Sequence, residues 1–514
     1  MSTDLTRRGL VVGAATAPTV AQAAMKSSSP AKRSLSSSSS DAFDLIVMGG
    51  GSTGLPAAIT AAAAGARVLL LEHSPKLGGS LHVANGQMSA AGTRLQKEKG
   101  IEDSPEDHFA DVMRLSRGTA DAALVRLAIW NAAGTVDWLT DLGFEPDPVA
   151  PTKGIGHEPY GKARYLWGMD KGHSIRRVLE TELQRHVDAG RVDIRLEHEV
   201  QALSIGTTGA VTGVTARSAD GVTHAFTAPS VLLASGGYNA NPQMYREICG
   251  RDLYTTLPYP YARGAGHRLA LSAGGHLRGV ENFFINFGYV LETASLPSPL
   301  AGRAVTYPDR RAPWEIYVNA LGQRFVREDL PSIDARENAL LGQPGERYWI
   351  VFDQGVLDNA PPLMAGWTRE QMAAAFDGRP NFYKGDTLVA LAATIGIDPV
   401  RLKASVDGYN YGVTTGADFL GRRHLPRPLG TGPFYAIRQQ GAPVSSAAGV
   451  AVNGDLQVIR RDGAPISGLY AAGEILGSGQ LMGRATCGGM MVTPALTFGR
   501  LLGRRLAERA RQPA

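Results

Sequence analysis

A Gly-x-Gly-x-x-Gly motif, formed by Gly49, Gly51 and Gly54, lies directly between an apolar run at residues 43–48 and an alanine-rich run at residues 55–64. The first run predicts a buried parallel strand and the second a helix. In such a turn the first glycine permits the tight bend, the second lets a diphosphate approach the backbone, and the third lets helix and strand pack closely. The pattern predicts a dinucleotide-binding βαβ unit.

An acidic residue lies where this unit needs one. The apolar run at residues 66–72 predicts a second strand, and Glu72 ends it. An acid about 20 residues beyond the glycine motif is suited to bind ribose hydroxyls. Ser52 and Thr53 precede the helix, whose positive N-terminal dipole attracts a diphosphate. Together these features make dinucleotide binding a specific prediction.

Two further glycine turns favour FAD over a nicotinamide dinucleotide. Residues 78–80, Gly-Gly-Ser, follow Glu72 closely, and paired glycines there let a flavin's phosphates and ribityl chain pass without a side chain in the way. Far downstream, Gly473 and Glu474 supply another glycine turn and a carboxylate suited to a sugar-like hydroxyl. A nicotinamide domain needs neither feature.

Length and composition exclude several other classes. At 514 residues the chain exceeds one ordinary domain, and 44% hydrophobic with 19% charged residues is typical of globular proteins. A net charge of +5, spread over dispersed arginines, and no nucleic-acid motif exclude a nucleic-acid partner. No apolar run is long enough to cross a bilayer, so we expect no stable membrane insertion. Cys249 and Cys487 lie too far apart for a paired-cysteine site, and we expect no metal.

The N-terminus predicts export. Residues 1–24 resemble a Tat signal, because the pair Arg7 and Arg8 precedes a weakly apolar stretch that ends in the small-x-small pattern of residues 21–23. Residues 25–41 are rich in serine and predict a flexible linker. Export would place the protein in the periplasm. The alternative is a disordered tail on a cytoplasmic protein.

Further segments complete a resemblance to a known family. They are residues 77–79, 84–88, 103–106, 234–238, 318–326, 468–474 and 488–500. With the glycine motif, the chain from 42 to 514 resembles the flavoprotein subunit family of fumarate reductase and succinate dehydrogenase. It is most similar to the soluble branch, which includes 3-ketosteroid dehydrogenases, urocanate reductase and tricarballylate dehydrogenase-like proteins.

The resemblance implies an α/β architecture in two parts. A Rossmann-type FAD-binding domain would comprise residues 42–280 and 446–514, and an inserted α+β capping domain would comprise residues 281–445. Substrate would lie between the flavin ring and the cap. The motif and the resemblance together place at the cofactor Gly49, Gly51, Ser52, Thr53, Gly54, Glu72, Gly78, Gly79, Ser80, Ala84, Gly86, Val200, Ser235, Gly236, Gly473, Glu474, Met491 and Val492.

Two histidines bear on how the flavin is held. His82 lies near the place where some relatives attach FAD covalently through a histidine, but the register is offset. We therefore expect FAD to be non-covalent. His173 opens a predicted helix and either faces the pocket or has a structural role.

The family's dicarboxylate-binding residues are absent or displaced here. Ser332 or Ile333 stands where an arginine proton donor belongs, and residues 445–449 and 284–287 each lack the expected histidine. Serine and threonine cannot replace a bidentate arginine clamp. Fumarate is therefore not the expected substrate. The aromatic residues Phe283, Phe284, Phe287 and Tyr289 favour a cyclic or alkyl ketone, a steroid-like ring or a monocarboxylate.

Four side chains are candidates for catalysis. Arg484, two residues early for the arginine that precedes the family's paired glycines, would bind a carbonyl or carboxylate oxygen. Arg311 resembles the position of a proton-relay arginine, and Arg336 replaces the missing arginine only if the loop shifts by about one helical turn. Tyr289, like Tyr307 and Tyr317, has the chemistry that tyrosines supply in the ketosteroid branch. Each of these residues is also compatible with a packing role.

The resemblance implies an FAD-dependent oxidoreductase that dehydrogenates or reduces a C–C bond α,β to a carbonyl. Hydride would pass between flavin and one carbon while a protein group moves a proton at the neighbouring carbon. The chain has no haem or iron–sulfur ligands, so a small-molecule substrate would be paired with a separate electron carrier, a quinone or cytochrome, or with oxygen. The alternatives are a fumarate-type dicarboxylate reductase with a rearranged active site and a non-catalytic flavin-binding protein.

Overall fold

A computed structural model describes residues 42–511 of the protein. The expected export signal at residues 1–24 and the expected linker at residues 25–41 lie outside the described residues, so both stay predictions.

The strands are short and belong to six sheets. In chain order they are β1 Leu45–Met48, β2 Val68–Leu71, β3 Met88–Ser89, β4 Tyr165–Leu166, β5 Val192–Arg195, β6 Glu199–Ile205, β7 Val211–Arg217, β8 Thr223–Thr227, β9 Val231–Leu233, β10 Leu277–Arg278, β11 Val290–Leu291, β12 Leu300–Gly302, β13 Ile316–Asn319, β14 Arg347–Asp353, β15 Phe382–Gly385, β16 Phe434–Gln440, β17 Gly449–Val450, β18 Gln457–Ile459 and β19 Pro465–Ala471.

The helices vary from one turn to five. They are α1 Gly54–Ala63, α2 Arg94–Glu98, α3 Pro105–Leu115, α4 Ala122–Trp130, α5 Ala132–Asp141, α6 Lys171–Asp188, α7 Pro242–Cys249, α8 Ala265–Ser272, α9 Ile333–Leu341, α10 Gln354–Asn359, α11 Arg369–Ala375, α12 Leu388–Ile395, α13 Pro399–Thr415, α14 Ser478–Leu481 and α15 Val492–Ala510. Within residues 42–511, no helix combines the length and the apolar character needed to cross a membrane.

The main sheet has six strands in the order β18-β19-β9-β1-β2-β5. Strands β19, β9, β1, β2 and β5 pair in parallel, and β18 joins β19 antiparallel. Every residue of β1 and β2 is buried. This burial explains why both sequences are continuously apolar, since strands covered by helices on both faces have no solvent side. The predicted βαβ unit and the α/β fold class are confirmed.

Helix α15 packs along α1 and so joins the C-terminal segment to the first βαβ unit. A Cβ atom at Gly503 would lie 2.3 Å from the carbonyl oxygen of Ala57, and one at Gly499 would lie 2.2 Å from that of Thr53. Glycine alone permits so close an approach between the two helices.

A second sheet contains four antiparallel strands in the order β13-β14-β16-β15. Helices α9 to α13 lie between its strands in the chain, so residues 281–445 have mixed α+β structure. A separate apolar core supports this sheet, and it includes Tyr238 and Tyr245 from before residue 281. The domain boundaries at 280/281 and 445/446 stay a prediction.

Candidate active site

A crevice of about 350 Å³ lies at the carboxyl ends of β1, β2 and β9. Strand β1 has β2 on one side and β9 on the other, so its carboxyl end is the point where the chain switches sides of the sheet. Such a switch point is where open α/β sheets bind ligands. The expected cofactor residues that line the crevice are Gly49, Gly51, Ser52, Thr53, Glu72, Gly79, Ser80, Val200, Ser235, Gly236 and Glu474.

Gly54 and Gly473, two of the glycines expected at the cofactor, pack against other protein atoms and do not line the crevice. A Cβ atom at Gly54 would lie 1.7 Å from the carbonyl oxygen of Gly49, and one at Gly473 would lie 2.2 Å from Oγ1 of Thr53. Gly54 therefore fixes the approach of α1 to the preceding turn. This is the packing role that the sequence predicts for the third glycine of the motif.

The second glycine turn lies against the first. The backbone N–H of Gly78 donates to the carbonyl of Gly50 at 2.8 Å. A Cβ atom at Gly51 would lie 3.7 Å from Cα of Gly79. Both turns thus present bare backbone to the crevice. Of the remaining expected cofactor residues, Gly78, Ala84, Gly86, Met491 and Val492 do not line it, and their assignment stays a prediction.

Glu72 organises the phosphate-binding turn as well as facing the crevice. Its Oε2 accepts a hydrogen bond from the backbone N–H of Gly50 at 2.7 Å, and its Oε1 accepts one from the N–H of Ser74 at 2.8 Å. The buried carboxylate therefore holds two chain segments in place. A carboxylate has further lone pairs for ribose hydroxyls.

Glu474 is a second carboxylate that lines the crevice. Its Oε1 accepts the backbone N–H of Ser446 at 3.2 Å. Burial raises the pKa of Glu474, and the hydrogen bonds from Ser446 oppose that rise only in part. The side chain thus joins the crevice to the chain that leaves the second sheet.

The donors and acceptors of the crevice fit FAD. No side chain caps the N-terminus of α1 at Thr53, so the positive end of the helix dipole is open to an anion. The buried hydroxyl of Ser235, which lines the crevice, has no hydrogen-bond partner among the described residues. A dinucleotide would satisfy both, because it brings phosphate and hydroxyl oxygens to a site free of side chains.

One wall of this crevice consists of residues that were not predicted from the sequence. The residues that form it include Tyr259, Tyr261, Arg263 and Arg268. The ring of Tyr261 makes edge contacts with His73, with the ring centroids 5.4 Å apart. Aromatic faces and guanidinium groups are suited to an adenine ring and to phosphates. No spacing rule links residues 259–268 to the glycine motif, so the sequence offered no signal for them.

His82 packs beside this wall. Its Nε2 lies 2.8 Å from the carbonyl oxygen of Leu77, and its ring lies 5.6 Å from that of His173. Burial lowers the pKa of His82 despite the hydrogen bond to Leu77. Since Nε2 is engaged by the backbone, non-covalent FAD remains the prediction.

A second cavity, of about 10 Å³, lies between α9 and the segment that follows α14, so a substrate enters it only when these elements move apart. Its lining residues include Phe284, Asp334, Glu337 and Arg484. The segment that begins at Glu474, a residue of the first crevice, reaches this cavity at Arg484. One stretch of chain therefore borders both spaces.

Asp334 and Glu337, which line this cavity, form a cluster with His157, which does not line it. His157 Nδ1 lies 2.8 Å from Oδ1 of Asp334 and 3.9 Å from Oε2 of Glu337. The backbone N–H of Glu158 donates to the other oxygen of Asp334 at 3.0 Å, and the hydroxyl of Ser332 donates to the Glu158 carboxylate. Asp334 thus fixes two consecutive residues of the 157–158 loop against the first turn of α9.

The cluster shifts the pKa of its members. Burial opposes the protonation of His157, but the hydrogen bond to Asp334 and the charge of Glu337 outweigh it and raise its pKa above the ordinary value. Burial raises the pKa of Glu337 to about 8, although His157 opposes the rise. These three side chains are also of types that bind metals. Because Nδ1 is committed to a hydrogen bond with Asp334, we interpret the group as a hydrogen-bonded pair, and the absence of a metal stays a prediction.

The four candidate catalytic residues occupy different places. Arg484 is exposed at the second cavity, and its backbone N–H donates to Oγ1 of Thr119 at 3.0 Å. Arg311 is buried in an ion pair with Glu315, at 2.9 Å from each carboxylate oxygen, and borders a separate pocket beside α10 and α11. Of these two, only Arg484 reaches the cavity beside the cluster.

The other two candidates, Tyr289 and Arg336, lie within residues 281–445. Tyr289 donates its hydroxyl to Oδ1 of Asn286 at 2.6 Å, and burial raises its pKa. Arg336 is fully buried on α9, where its guanidinium lies 4.9 Å from the ring centre of Phe287 and donates to the carbonyl of Thr306. The catalytic assignments of all four residues stay predictions.

Comparisons with known proteins agree with this geometry. A family model described as FAD binding domain matches residues 44–490. The chain is 30% identical to a fumarate reductase (cytochrome) of Shewanella frigidimarina over 96% of this chain and 81% of the relative. It is 27% identical to 4-oxocyclohexanecarboxylate 2-dehydrogenase of Sinomonas cyclohexanicum over 91% and 93% of the two chains. A solved structure, the open conformation of a flavocytochrome c3 fumarate reductase, superposes with a TM-score of 0.69 at 28% identity, over 92% of this chain and 79% of the other.

Proposed function

The chain belongs to the FAD binding domain family as an FAD-dependent oxidoreductase that acts on C–C bonds, and we propose that its substrate is a ketone with at most one carboxylate. The reaction forms or saturates the C=C double bond α,β to the carbonyl. Cyclic ketones, including steroid-like rings, and keto-monocarboxylates are the substrate classes that this proposal covers.

One observation carries the proposal: two acids line the cavity that Arg484 borders. Asp334 and Glu337 are both buried there. A dicarboxylate would bring two negative charges to a buried site that already disfavours negative charge, since burial raises the pKa of Glu337 to about 8. A single arginine is suited to one carbonyl or carboxylate oxygen, whereas a dicarboxylate clamp needs several cationic donors.

The neighbouring aromatic residues support the same choice. Phe283 and Phe284 are buried, and Phe284 lines the cavity beside Arg484. Apolar rings favour a hydrocarbon ring over a small, strongly hydrated dianion. The similarity to a dehydrogenase of 4-oxocyclohexanecarboxylate, a ring ketone with one carboxylate, also supports this class.

FAD would be held in the 350 Å³ crevice by the bare turns at Gly51 and Gly79, by the free N-terminus of α1 and by Glu72. When bound it supplies a two-electron hydride acceptor or donor. The protein's own contribution is to orient the carbonyl at Arg484, to exclude water with the phenylalanines, and to move one proton at the carbon next to the carbonyl.

A second candidate is a fumarate-type dicarboxylate reductase with a rearranged active site. The 30% identity to a fumarate reductase favours it. It requires Arg484 and at least one further cation to approach two carboxylates. Arg303 is a candidate for that second cation, because its charge acts on both His157 and Glu337. Its side chain donates to the hydroxyl of Tyr307 at 2.8 Å.

A substrate panel tests the proposal. The FAD-loaded protein is mixed without oxygen with 4-oxocyclohexanecarboxylate, cyclohexanone, a saturated 3-ketosteroid and succinate, and bleaching of the flavin is followed near 450 nm, roughly where oxidised flavin absorbs. The reduced protein is then mixed with the matching enones and with fumarate. We expect a ketone or enone to exchange electrons with the flavin. Reaction with succinate and fumarate alone would establish the dicarboxylate reductase, and no reaction with any compound would favour a non-catalytic flavin protein.

Export and the electron partner are further proposals. We infer that the Arg7 and Arg8 pair directs the protein through a Tat-like route to the periplasm, where a quinone, a cytochrome or oxygen exchanges electrons with it. A cytoplasmic protein is the alternative. Replacing both arginines with lysine tests export, and a reporter fused to the full chain should then stay in the cytoplasm. Unchanged export would overturn the Tat assignment.

A further inference from the structure

The first turn of α9 raises a question that the proposed function leaves open: which group moves the proton. The resemblance places an arginine proton donor at Ser332 or Ile333, and neither side chain has an acid of suitable strength. The inference below rests on the proposed function and deepens it.

The 157–158 loop occupies the space against this turn. Ser332 lies at the position of the missing arginine, and its hydroxyl donates a hydrogen bond to the carboxylate of Glu158. Asp334 accepts both the backbone N–H of Glu158, at 3.0 Å, and the ring of His157, at 2.8 Å. A histidine is therefore fixed beside the place where the relatives present their donor.

The orientation of the ring is defined by its partners. A carboxylate only accepts hydrogen bonds, so Nδ1 of His157 carries the hydrogen that Asp334 receives. Its Nε2 is then the nitrogen left for proton exchange. The His157 side chain is 23% exposed, whereas Asp334 is 8% exposed. The pair thus has a buried end and an accessible end.

We propose that His157 is the acid–base group of the reaction, exchanging a proton between its Nε2 and the substrate carbon next to the carbonyl, and that Asp334 is its positioning residue. The same arrangement of a ring nitrogen oriented by a carboxylate serves general acid–base catalysis in many enzymes.

The proton and electron balance is complete. In dehydrogenation, Nε2 takes the proton of the α-carbon, and the electron pair of that C–H bond becomes the new α,β double bond. The hydrogen of the β-carbon leaves with its bonding pair as hydride to FAD, which is reduced by two electrons. In the reverse direction the β-carbon receives the hydride, and His157 returns the proton to the α-carbon.

The charged groups around the His157 ring both favour and oppose its protonated form, which suits a residue that takes up and gives up a proton. From α9, Asp334 and Glu337 face His157 and favour its protonated form, while Arg303, which follows β12, opposes it. Arg484 borders the same cavity from the segment after α14. The guanidinium charge of Arg484 would make the α-hydrogens of a bound carbonyl compound more acidic.

The experiment uses acetophenone, whose methyl group has exchangeable α-hydrogens. No β-carbon is attached to this methyl group, so no hydride can leave next to it. The FAD-loaded protein is incubated with acetophenone in D₂O, and loss of the methyl proton signal is followed by NMR. We expect the wild type to accelerate exchange and His157→Gln to lose about a hundredfold of that acceleration, the scale of one acid–base group.

The matched control is His186→Gln on α6, whose ring contacts Glu182 and lines neither cavity. It should exchange like the wild type. Asp334→Asn should shift the midpoint of the pH–rate profile to lower pH, since the carboxylate that favours the charged ring is gone, and Asp334→Glu should restore it in part. A merely structural role for Asp334 would lower the rate without moving the midpoint.

Three results would overturn the inference. They are wild-type exchange no faster than solvent, exchange by His157→Gln equal to wild type, and loss of exchange on adding EDTA, which would indicate a metal at the cluster. The outcomes separate from those of the substrate panel, because exchange does not require flavin reduction. Ketone-driven bleaching that is unchanged in His157→Gln would leave the proposed function standing without His157.

Discussion

The carboxylate of Glu72 accepts a hydrogen bond from the backbone N–H of Gly50 at 2.7 Å. The acid therefore has two tasks, because it faces the crevice and also holds the turn between the first two glycines of the motif. Its second oxygen accepts the N–H of Ser74, and the bond from Gly50 fixes the end of β2 to the end of β1.

We predict that Glu72→Ala raises the Kd for FAD about a hundredfold, because the ribose hydroxyls lose a charged acceptor and one such hydrogen bond contributes about 1.5–3 kcal/mol. Glu72→Gln keeps one acceptor oxygen and should raise the Kd by only about tenfold. Fluorescence titration of the apoprotein with FAD measures both. Equal Kd values for wild type and Glu72→Ala would contradict the assignment.

Gly51→Leu should abolish FAD retention while leaving the protein folded. A Cβ atom at Gly51 has room, since its nearest neighbour is Cα of Gly79 at 3.7 Å, but a leucine side chain would fill the space between the two turns. Gly454→Leu is the control, because a Cβ atom there meets nothing within 4 Å. The flavin-to-protein absorbance ratio after purification measures retention, and a fully loaded Gly51→Leu protein would refute the placement of the diphosphate.

Arg484→Ala should weaken substrate binding and leave the flavin spectrum intact. Its side chain is exposed at the second cavity and borders no part of the first crevice. Losing one charged hydrogen bond corresponds to an increase in KM of roughly tenfold to a hundredfold. Arg461→Ala, on the exposed turn between β18 and β19, provides the matched control. An unchanged KM in Arg484→Ala would remove this residue from the site.

Glu337→Gln should make the protein less sensitive to alkali. Burial raises the pKa of Glu337 to about 8, so the folded state keeps a proton that the unfolded state releases above pH about 4.3. The free energy of unfolding therefore falls as the pH rises from about 4.3 to 8. The variant lacks this loss, and its Tm should drop less than that of the wild type between pH 5 and pH 9. Glu98→Gln, on the exposed end of α2, should behave like the wild type.

All of the flavin should leave the protein on acid denaturation. His82 lies close to the second glycine turn, but its Nε2 is engaged by the Leu77 carbonyl at 2.8 Å. Precipitation with trichloroacetic acid should leave a yellow supernatant and a colourless pellet. A pellet that fluoresces as a flavin peptide would establish a covalent bond, and His82→Ala would then show whether this histidine forms it.

The cofactor site could be predicted far better than the catalytic site. The residues of the first two turns, from Gly49 to Ser80, are close in sequence, and their roles follow from backbone geometry that a short motif specifies. Glycine spacing, an apolar strand and an acid at its end are visible without a structure. These patterns did not reveal that Glu72 also accepts the backbone N–H of Gly50.

The catalytic side depends on contacts between residues far apart in the chain. Ser332 was identified as the position of a missing arginine, but nothing in the sequence connects it with Glu158, or Asp334 with His157. Arg311 differs, because its partner Glu315 is only four residues away, but the burial of this pair beside α10 and α11 is visible only in the structure.

The sequence by itself determined the parallel βαβ unit, the FAD-binding turns and the family, because buried strands and phosphate-binding glycines restrict residue types locally. Only the tertiary structure decided that Tyr259 and Tyr261 wall the crevice and that His157 meets Asp334 beside the cavity of Arg484. Side-chain contacts across the fold are set by the packing of whole elements, and the spacing of residues along the chain carries no record of them.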